Sequence, residues 1–171
     1  MEDLIKDEFF MKEALMEARL ARSIEEVPVG CVIVRKGKII GRGHNLTMHK
    51  KSAIYHAEIL AIKEACENIG DFRLEDCTMY VTMEPCSMCA GAIINSRLER
   101  LVIGLRDEKR GACGSNTNIV GDKSQFHHLE PEFGLLSEDA LYELQTFFKM
   151  LRQRSKEKKA RLKKLGESER K

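Results

Sequence analysis

Two short segments rich in metal-binding side chains constrain this chain more than any other feature. His56-Ala57-Glu58 opens a stretch of helical apolar spacing, and Pro85-Cys86-Ser87-Met88-Cys89 lies between a predicted strand and a predicted helix. Because of their spacing, the sulfurs of Cys86 and Cys89 point to the same side of a first helical turn. A helix N-terminus also stabilises thiolates, since its free N–H groups and its dipole favour negative charge.

These two helix starts form one site if the fold brings them together. If His56 begins the neighbouring helix, its imidazole and the two thiolates meet at one point. Three N or S ligands with an open fourth position are typical of a catalytic zinc, since a structural zinc normally has four protein ligands. The sequence therefore predicts one zinc per chain, bound by His56, Cys86 and Cys89.

Each segment taken alone has other interpretations. A Cys-x-x-Cys pair in a cytosolic protein is also found in redox sites or as buried thiols. A structural zinc would need a fourth protein ligand, for which Cys113, His44 and His127 are the candidates. Cysteines 31, 66 and 77 lie in apolar, periodic surroundings, where a small buried thiol is the ordinary outcome.

Glu58 extends the prediction from metal binding to catalysis. Zinc lowers the pKa of bound water from roughly 15.7 toward 7, which gives hydroxide at neutral pH. Attack of that hydroxide on the amidine carbon of a purine or pyrimidine requires proton transfers that a carboxylate beside the metal can perform. The pattern His-x-Glu followed by Pro-Cys-x-x-Cys is the signature of zinc nucleobase deaminases. A zinc-stabilised RNA-binding module without turnover would have no use for that carboxylate.

Apolar spacing along the chain predicts an α/β protein with no linker that would divide it. A strand–helix–strand order implies parallel pairing, and a hairpin adds an antiparallel pair, so the sheet should be mixed. The predicted elements are a helix over residues 6–22, a hairpin turning at 35–38, a loop over 43–55, a helix over 56–68 that ends at Gly70, strands over 77–83 and 101–105 with a helix between them, an irregular stretch over 106–136, and a last helix from Ser137.

The distribution of charge along the chain is more informative than its net value of +2. Residues 149–171 contain 11 Lys or Arg and 3 Asp or Glu, whereas the other 148 residues contain 18 basic and 24 acidic side chains. A basic C-terminal stretch favours an anionic partner such as nucleic acid, and a solvated helix end is the alternative.

No apolar run approaches the roughly 20 residues of a membrane span, and the charged N-terminus lacks a secretory segment, so we expect a cytoplasmic protein.

The chain resembles the bacterial tRNA-specific adenosine deaminases, which convert the wobble adenosine of a tRNA anticodon to inosine. The zinc motifs are typical of the deaminase superfamily as a whole. The sequence segments that flank them resemble those of the tRNA enzymes in particular. The matching residues are Glu26-Val27-Pro28-Val29-Gly30, His44-Asn45, His56-Ala57-Glu58-Ile59, Tyr80-Val81-Thr82-Met83-Glu84-Pro85-Cys86, Met88-Cys89-Ala90-Gly91-Ala92, Arg106-Asp107-Glu108-Lys109, Gly111-Ala112-Cys113-Gly114-Ser115 and Phe147-Phe148-Lys149.

The resemblance implies a three-layer α/β/α cytidine-deaminase-like sandwich around a mixed, mostly five-stranded sheet. It implies a deaminase domain over residues 1–152, a basic helical extension over 153–171, and a homodimer with one Zn²⁺ per subunit. Glu58 would be the catalytic proton shuttle, and the tRNA anticodon stem-loop would be the partner. The expected substrate contacts are Asn45, the backbone of Ala57, Arg106, Asp107, Lys109 and Arg152. A deaminase of free guanine, cytosine or cytidine is the alternative function.

Overall fold

The computed structural model describes the backbone of residues 2–168 and the side chains of residues 4–163. The described residues form five helices and five strands. Their bounds are α1 Glu2–Ser23, β1 Gly30–Arg35, β2 Lys38–His44, α2 Thr47–Lys50, α3 Ala57–Ile69, β3 Cys77–Met83, α4 Ser87–Asn95, β4 Arg100–Leu105, β5 Glu132–Phe133 and α5 Ser137–Ser168. No helix in the part of the chain described is long and apolar enough to cross a membrane.

The strands form one mixed sheet in the order β2-β1-β3-β4-β5. β1 is antiparallel to both β2 and β3, whereas β3, β4 and β5 run parallel. The β1–β2 turn has positive φ angles at Lys36 and Gly37, which are the angles of a tight hairpin turn. The mixed sheet predicted from the sequence is therefore confirmed.

Side chains that alternate along the strands build a separate core on each face of the sheet. On one face, Ile33, Met79 and Ile103 pack with α3 and α4 in a cluster of buried residues. On the other face, their neighbours Val32 and Tyr80 pack with α1, while α5 packs beside α1 and against β4. Helices on both faces of one sheet confirm the three-layer α/β/α sandwich.

The predicted loop over residues 43–55 was partly wrong. β2 continues through His44, and α2 forms one helical turn inside the segment. The segment is polar and lacks an apolar period, which predicted a loop. The glycines at the end of β2 let α3 approach the sheet. A Cβ atom at Gly43 would lie 2.1 Å from the carbonyl oxygen of Ala57, and one at Gly41 would lie 2.3 Å from that of Ala61.

The prediction of an irregular stretch over residues 106–136 missed one strand. β5 pairs with β4 in parallel, with Val102 opposite Glu132 and Ile103 opposite Phe133. A strand of this length has too few residues to show an apolar period. The rest of the stretch lacks regular strands and helices, apart from an isolated bridge between Cys113 and Asn118.

The predicted last helix continues far beyond the globular body. α5 contacts α1 and β4 and buries Ala140, Leu144 and Phe147, whereas residues 148–163 are all exposed. Arg154 donates a hydrogen bond to Glu25, in the connection between α1 and β1. Residues 169–171 of the predicted extension lie outside the described residues.

Candidate active site

His56 and Cys86 occupy equivalent positions, each immediately before a helix. His56 is the N-cap of α3 and Cys86 is the N-cap of α4, and both have extended backbone angles. The first helical hydrogen bonds run from Leu60 to the His56 carbonyl and from Ala90 to the Cys86 carbonyl. Each N-cap residue thus places a side chain that can bind a metal at the start of a helix, where negative charge is stabilised.

The structure brings the three predicted ligands together. The Nδ1 atom of His56 lies 3.7 Å from the sulfur of Cys86 and 3.5 Å from that of Cys89. A tetrahedral zinc with ordinary Zn–S and Zn–N bonds would separate such donor atoms by about 3.5 Å. One imidazole and two thiols at this spacing therefore fit a zinc ion.

Hydrogen bonds among His56, Cys86 and Cys89 shift the pKa values of all three side chains. Hydrogen bonds from Cys89 and His56 lower the pKa of Cys86 to about 3. The hydrogen bond to Cys86 raises the pKa of Cys89, and the one between His56 and Cys86 raises the pKa of His56. Metal binding to these three groups would release the protons that they carry.

Glu58 lies in the first turn of α3 and is 3% exposed. Burial is the main cause of its raised pKa, and the negative charge of Cys86 adds to it. In the described residues, the cluster of candidate metal ligands comprises His56, Cys86 and Cys89 but not Glu58. The carboxylate is therefore next to the predicted ligands, with a hydrogen bond to Cys89, without being one of them.

None of the three candidate fourth ligands joins this cluster. The Nδ1 atom of His44 lies 2.8 Å from a carboxylate oxygen of Glu17. His127 forms a 2.7 Å hydrogen bond with the carbonyl of Leu98. Cys113 is buried, and its sulfur faces the carbonyl of Pro85 at 3.9 Å. An open fourth position is what a catalytic zinc requires and a structural zinc lacks.

Asn45 is buried directly after β2, two residues before α2 begins. Its Nδ2 atom donates to the carboxylate of Glu26 at 3.0 Å and to the hydroxyl of Thr47 at 3.2 Å. The same carboxylate accepts the backbone N–H of His49 at 2.6 Å. Glu26 therefore fixes both the orientation of the Asn45 amide and the turn that follows it.

Ala57 stands between His56 and Glu58 in the first turn of α3, and its side chain is fully buried. Its two neighbours in the chain are a predicted metal ligand and the predicted proton shuttle.

The segment over residues 106–115 connects β4 to the region around α4, and we call it the 106–115 loop. Arg106 is exposed, with its guanidinium 3.7 Å from the centre of the Phe133 ring. Asp107 accepts the backbone N–H groups of Lys109 and Arg110 at 3.0 and 3.1 Å, which makes a compact turn. Asp107 thus acts on its own loop, whereas the Lys109 side chain is exposed.

Arg152 lies on the exposed part of α5, and no contact in the described residues joins it to the metal ligands. Its neighbour Arg154 contacts Glu25, which directly precedes Glu26. The basic part of α5 therefore begins beside the connection that holds Asn45.

Three residues near the site were missed as functional candidates. Glu26 and Glu84 are buried carboxylates that accept hydrogen bonds from loop backbone, and the charge of Arg110 acts on His56. Both carboxylates stand in runs that carry the family resemblance: Val27 and Pro28 follow Glu26, and Glu84 stands between Met83 and Pro85. A buried charge must be paired or hydrogen-bonded, so an acidic residue in such apolar surroundings was the available signal.

The comparisons with known proteins agree with this geometry. Residues 4–105 match the family model for the cytidine and deoxycytidylate deaminase zinc-binding region. The chain is 45% identical to the tRNA-specific adenosine deaminase of Bacillus subtilis (strain 168) over 164 residues, which cover 96% of this chain and 100% of that protein. A solved chain from studies of A-to-I editing by tRNA deaminases at the wobble position has a TM-score of 0.76 and 40% identity, covering 80% of this chain and 99% of that one.

The fold and the site define a zinc-dependent deaminase of the cytidine deaminase class. Within that class, the chain belongs to the family of tRNA-specific adenosine deaminases. A more distant likeness is to the guanine deaminase of Bacillus subtilis, with a TM-score of 0.56 and 36% identity over 58% of this chain and 64% of that one.

Proposed function

We propose that this chain hydrolyses the wobble adenosine of a tRNA anticodon to inosine, with release of ammonia. The observation that carries the proposal is the meeting of His56, Cys86 and Cys89 beside the buried Glu58. This constellation occurs in a chain that matches a tRNA-specific adenosine deaminase over nearly its whole length. We infer the substrate from the family and the reaction from the residues of the site.

His56, Cys86 and Cys89 would hold the zinc, and Glu58 would move the protons. Bound zinc would lower the pKa of a coordinated water toward about 7 and so supply the nucleophile at neutral pH. The Glu58 carboxylate would accept a proton from the attacking water and deliver it to N1 of the purine. It would then take the remaining proton from the hydroxyl group added at C6 and give it to the amino group, so that the C–N bond breaks, ammonia leaves and the C6 carbonyl of inosine forms.

Asn45 and Ala57 would contact the target nucleoside. Both hydrogen bonds of the Asn45 amide to the protein use Nδ2, so its carbonyl oxygen remains to accept a bond from a ligand. The start of α3 places the Ala57 backbone between His56 and Glu58. A base extruded from the anticodon loop would be held there against the reacting groups.

Arg106, Asp107 and Lys109 would act in the 106–115 loop, and Arg152 would act with the basic extension over residues 153–171. Residues 153–163 are all exposed, as a phosphate-binding surface requires. The acidic composition of the rest of the chain leaves this helix as the main basic stretch. Lys and Arg that approach RNA phosphates gain affinity by releasing counterions.

The chain would act in the cytoplasm as a homodimer with one zinc per subunit. Met88, Gly91 and Ala92 lie half-exposed on α4, next to the metal ligands, and could pack against a second copy. All six cysteines are free thiols, which suits a reducing compartment. Sedimentation of the zinc-loaded protein tests the dimer, and the mass of a single chain would contradict it.

Deamination of a free base is the second candidate, because the structure is also similar to a guanine deaminase. Such an enzyme would use the same metal ligands and the same glutamate. It would have no need of a basic helix that projects from the body.

A comparison of substrates distinguishes these two functions. The zinc-loaded protein is incubated with an adenosine-wobble anticodon stem-loop and, separately, with free adenosine, cytidine and guanine, and products are identified by mass spectrometry. We expect inosine in the stem-loop and little turnover of the small molecules. Rapid deamination of guanine or cytidine with no inosine in the RNA would overturn the proposal.

A further inference from the structure

Glu84 is a buried carboxylate that takes no part in the chemistry described above. It follows β3 and precedes Pro85, and it is 4% exposed. One of its oxygens accepts the backbone N–H groups of Cys113 and Ser115, each at 3.0 Å. The other accepts the backbone N–H of Asp107, also at 3.0 Å. A single side chain thus holds both ends of the 106–115 loop.

The 106–115 loop packs closely against this carboxylate. A Cβ atom at Gly111 would lie 2.4 Å from the carboxyl carbon of Glu84, so only glycine fits there. The backbone N–H of Ala112 donates to the carbonyl of Pro85 at 2.9 Å, and that of Glu84 donates to Leu105 at 2.8 Å. The loop is therefore attached to the residues that lead directly into Cys86.

We propose that Glu84 is a positioning residue that fixes the 106–115 loop for binding of the RNA around the target base. The proposal rests on the proposed function, since it assigns the loop a role in binding tRNA. Glu84 touches neither the predicted ligands nor Glu58 in the hydrogen bonds described. Its effect should therefore fall on substrate binding and leave the chemical step largely unchanged.

Glu84→Gln separates positioning from a general structural role. The amide oxygen of Gln can still accept from Cys113 and Ser115, but its NH₂ group would face the N–H of Asp107. Two donors repel each other, so the Asp107 end of the loop should detach while the other end stays. Glu99→Gln is the matched control, because Glu99 is exposed at the opposite end of β4.

The experiment measures KM and kcat on the adenosine-wobble stem-loop, zinc content, and amide hydrogen exchange. We expect Glu84→Gln to keep its zinc, to raise KM about tenfold and to change kcat less than about threefold, a loss of uniform binding. Faster exchange at Asp107 than in the wild type should accompany the change. Glu99→Gln should match the wild type in every measurement.

A fall in kcat or in zinc content with unchanged KM would overturn the proposal, as would a Glu84→Gln enzyme equal to the wild type. If the variant does not fold, amide hydrogen exchange in the wild type tests whether Glu84 holds the 106–115 loop. The N–H groups of Asp107, Cys113 and Ser115 should then be protected relative to that of Glu108, which lacks a hydrogen bond among the described residues, and equal rates would overturn the proposal. A wild type inactive on the stem-loop would contradict the proposed function instead, and exchange would still report on the loop.

Discussion

Two side chains at the start of α3 have different predicted roles: His56 binds the metal and Glu58 transfers protons. His56 faces the sulfurs at 3.5 and 3.7 Å, whereas the next-but-one residue, Glu58, is buried outside the ligand cluster. One helical turn therefore carries both a predicted metal ligand and a carboxylate outside the ligand cluster. Substitutions within this turn should separate metal binding from catalysis.

Glu58→Ala should retain zinc and still bind RNA but lose most of its turnover. General acid–base catalysis contributes roughly 10²–10⁴-fold, so kcat should fall by at least that factor. Single-turnover kinetics, with zinc measured in the same sample, checks this. A variant with near-normal rates would show that Glu58 is not the proton shuttle.

Asn45→Ala should keep its zinc and lose activity on the stem-loop. The variant removes a buried amide and leaves the Glu26 carboxylate without one partner, so about 1–3 kcal/mol of stability should also be lost. Thr47→Val is a control, since it removes the other side-chain partner of that amide but no predicted substrate contact. Equal activity of the Asn45→Ala enzyme and the parent would contradict the role assigned to Asn45.

At the scale of elements, one ion network joins four pieces of the fold. Asp7 on α1 accepts two hydrogen bonds from Arg100 on β4, at 2.8 and 2.7 Å, and one from the hydroxyl of Tyr80 on β3. Arg100 also donates to Glu132 on β5, at 2.6 and 2.8 Å. The hydrogen bond from Arg100 is the largest cause of the lowered pKa of Asp7.

Because the pKa of Asp7 is lower in the folded state, its stabilisation is present above the unfolded value of about 3.9 and is lost as pH falls through the folded value. Asp7→Asn should therefore cost about 1–2 kcal/mol at pH 7, discounted for partial exposure. The difference should shrink near pH 3. Urea unfolding at both pH values measures it, with Glu108→Gln as an exposed control. An equal cost at both pH values would contradict this account.

Elements with a repeated apolar pattern could be predicted from the sequence, and contacts made by single polar groups could not. α3, β3 and the end of α3 at Gly70 were predicted, because a buried face and a left-handed cap leave a local pattern. β5 was missed because its pairing with β4 is set by residues far away in sequence. Glu26 and Glu84 differ locally from their apolar neighbours, but the distant backbone N–H groups that they bind leave no local pattern.

At the scale of the whole molecule, the exposed end of α5 should supply long-range attraction for RNA. Removing residues 153–171 should weaken stem-loop binding and flatten its dependence on salt, since each lost phosphate contact reduces the log–log slope by about 0.7–0.9. The segment is exposed from residue 153 to residue 163, so its removal uncovers no described core residue. Filter binding over a range of salt concentrations checks this.

A substituted full-length chain controls for loss of helix length in that experiment. Replacing Lys156, Lys158 and Lys159 with Gln removes charge and keeps helix-forming residues. This variant should fall between the wild type and the truncated chain. Equal affinity and equal slope in all three proteins would mean that the extension is a solvated helix end.

The central claim is that water, activated at His56, Cys86 and Cys89, replaces the amino group of a tRNA adenosine with the help of Glu58. Incubating the zinc-loaded protein with an adenosine-wobble stem-loop in ¹⁸O-labelled water tests it most directly. The account predicts inosine at the wobble position carrying the labelled oxygen, with one ammonia released per inosine. A stem-loop whose wobble adenosine stays unchanged would contradict it.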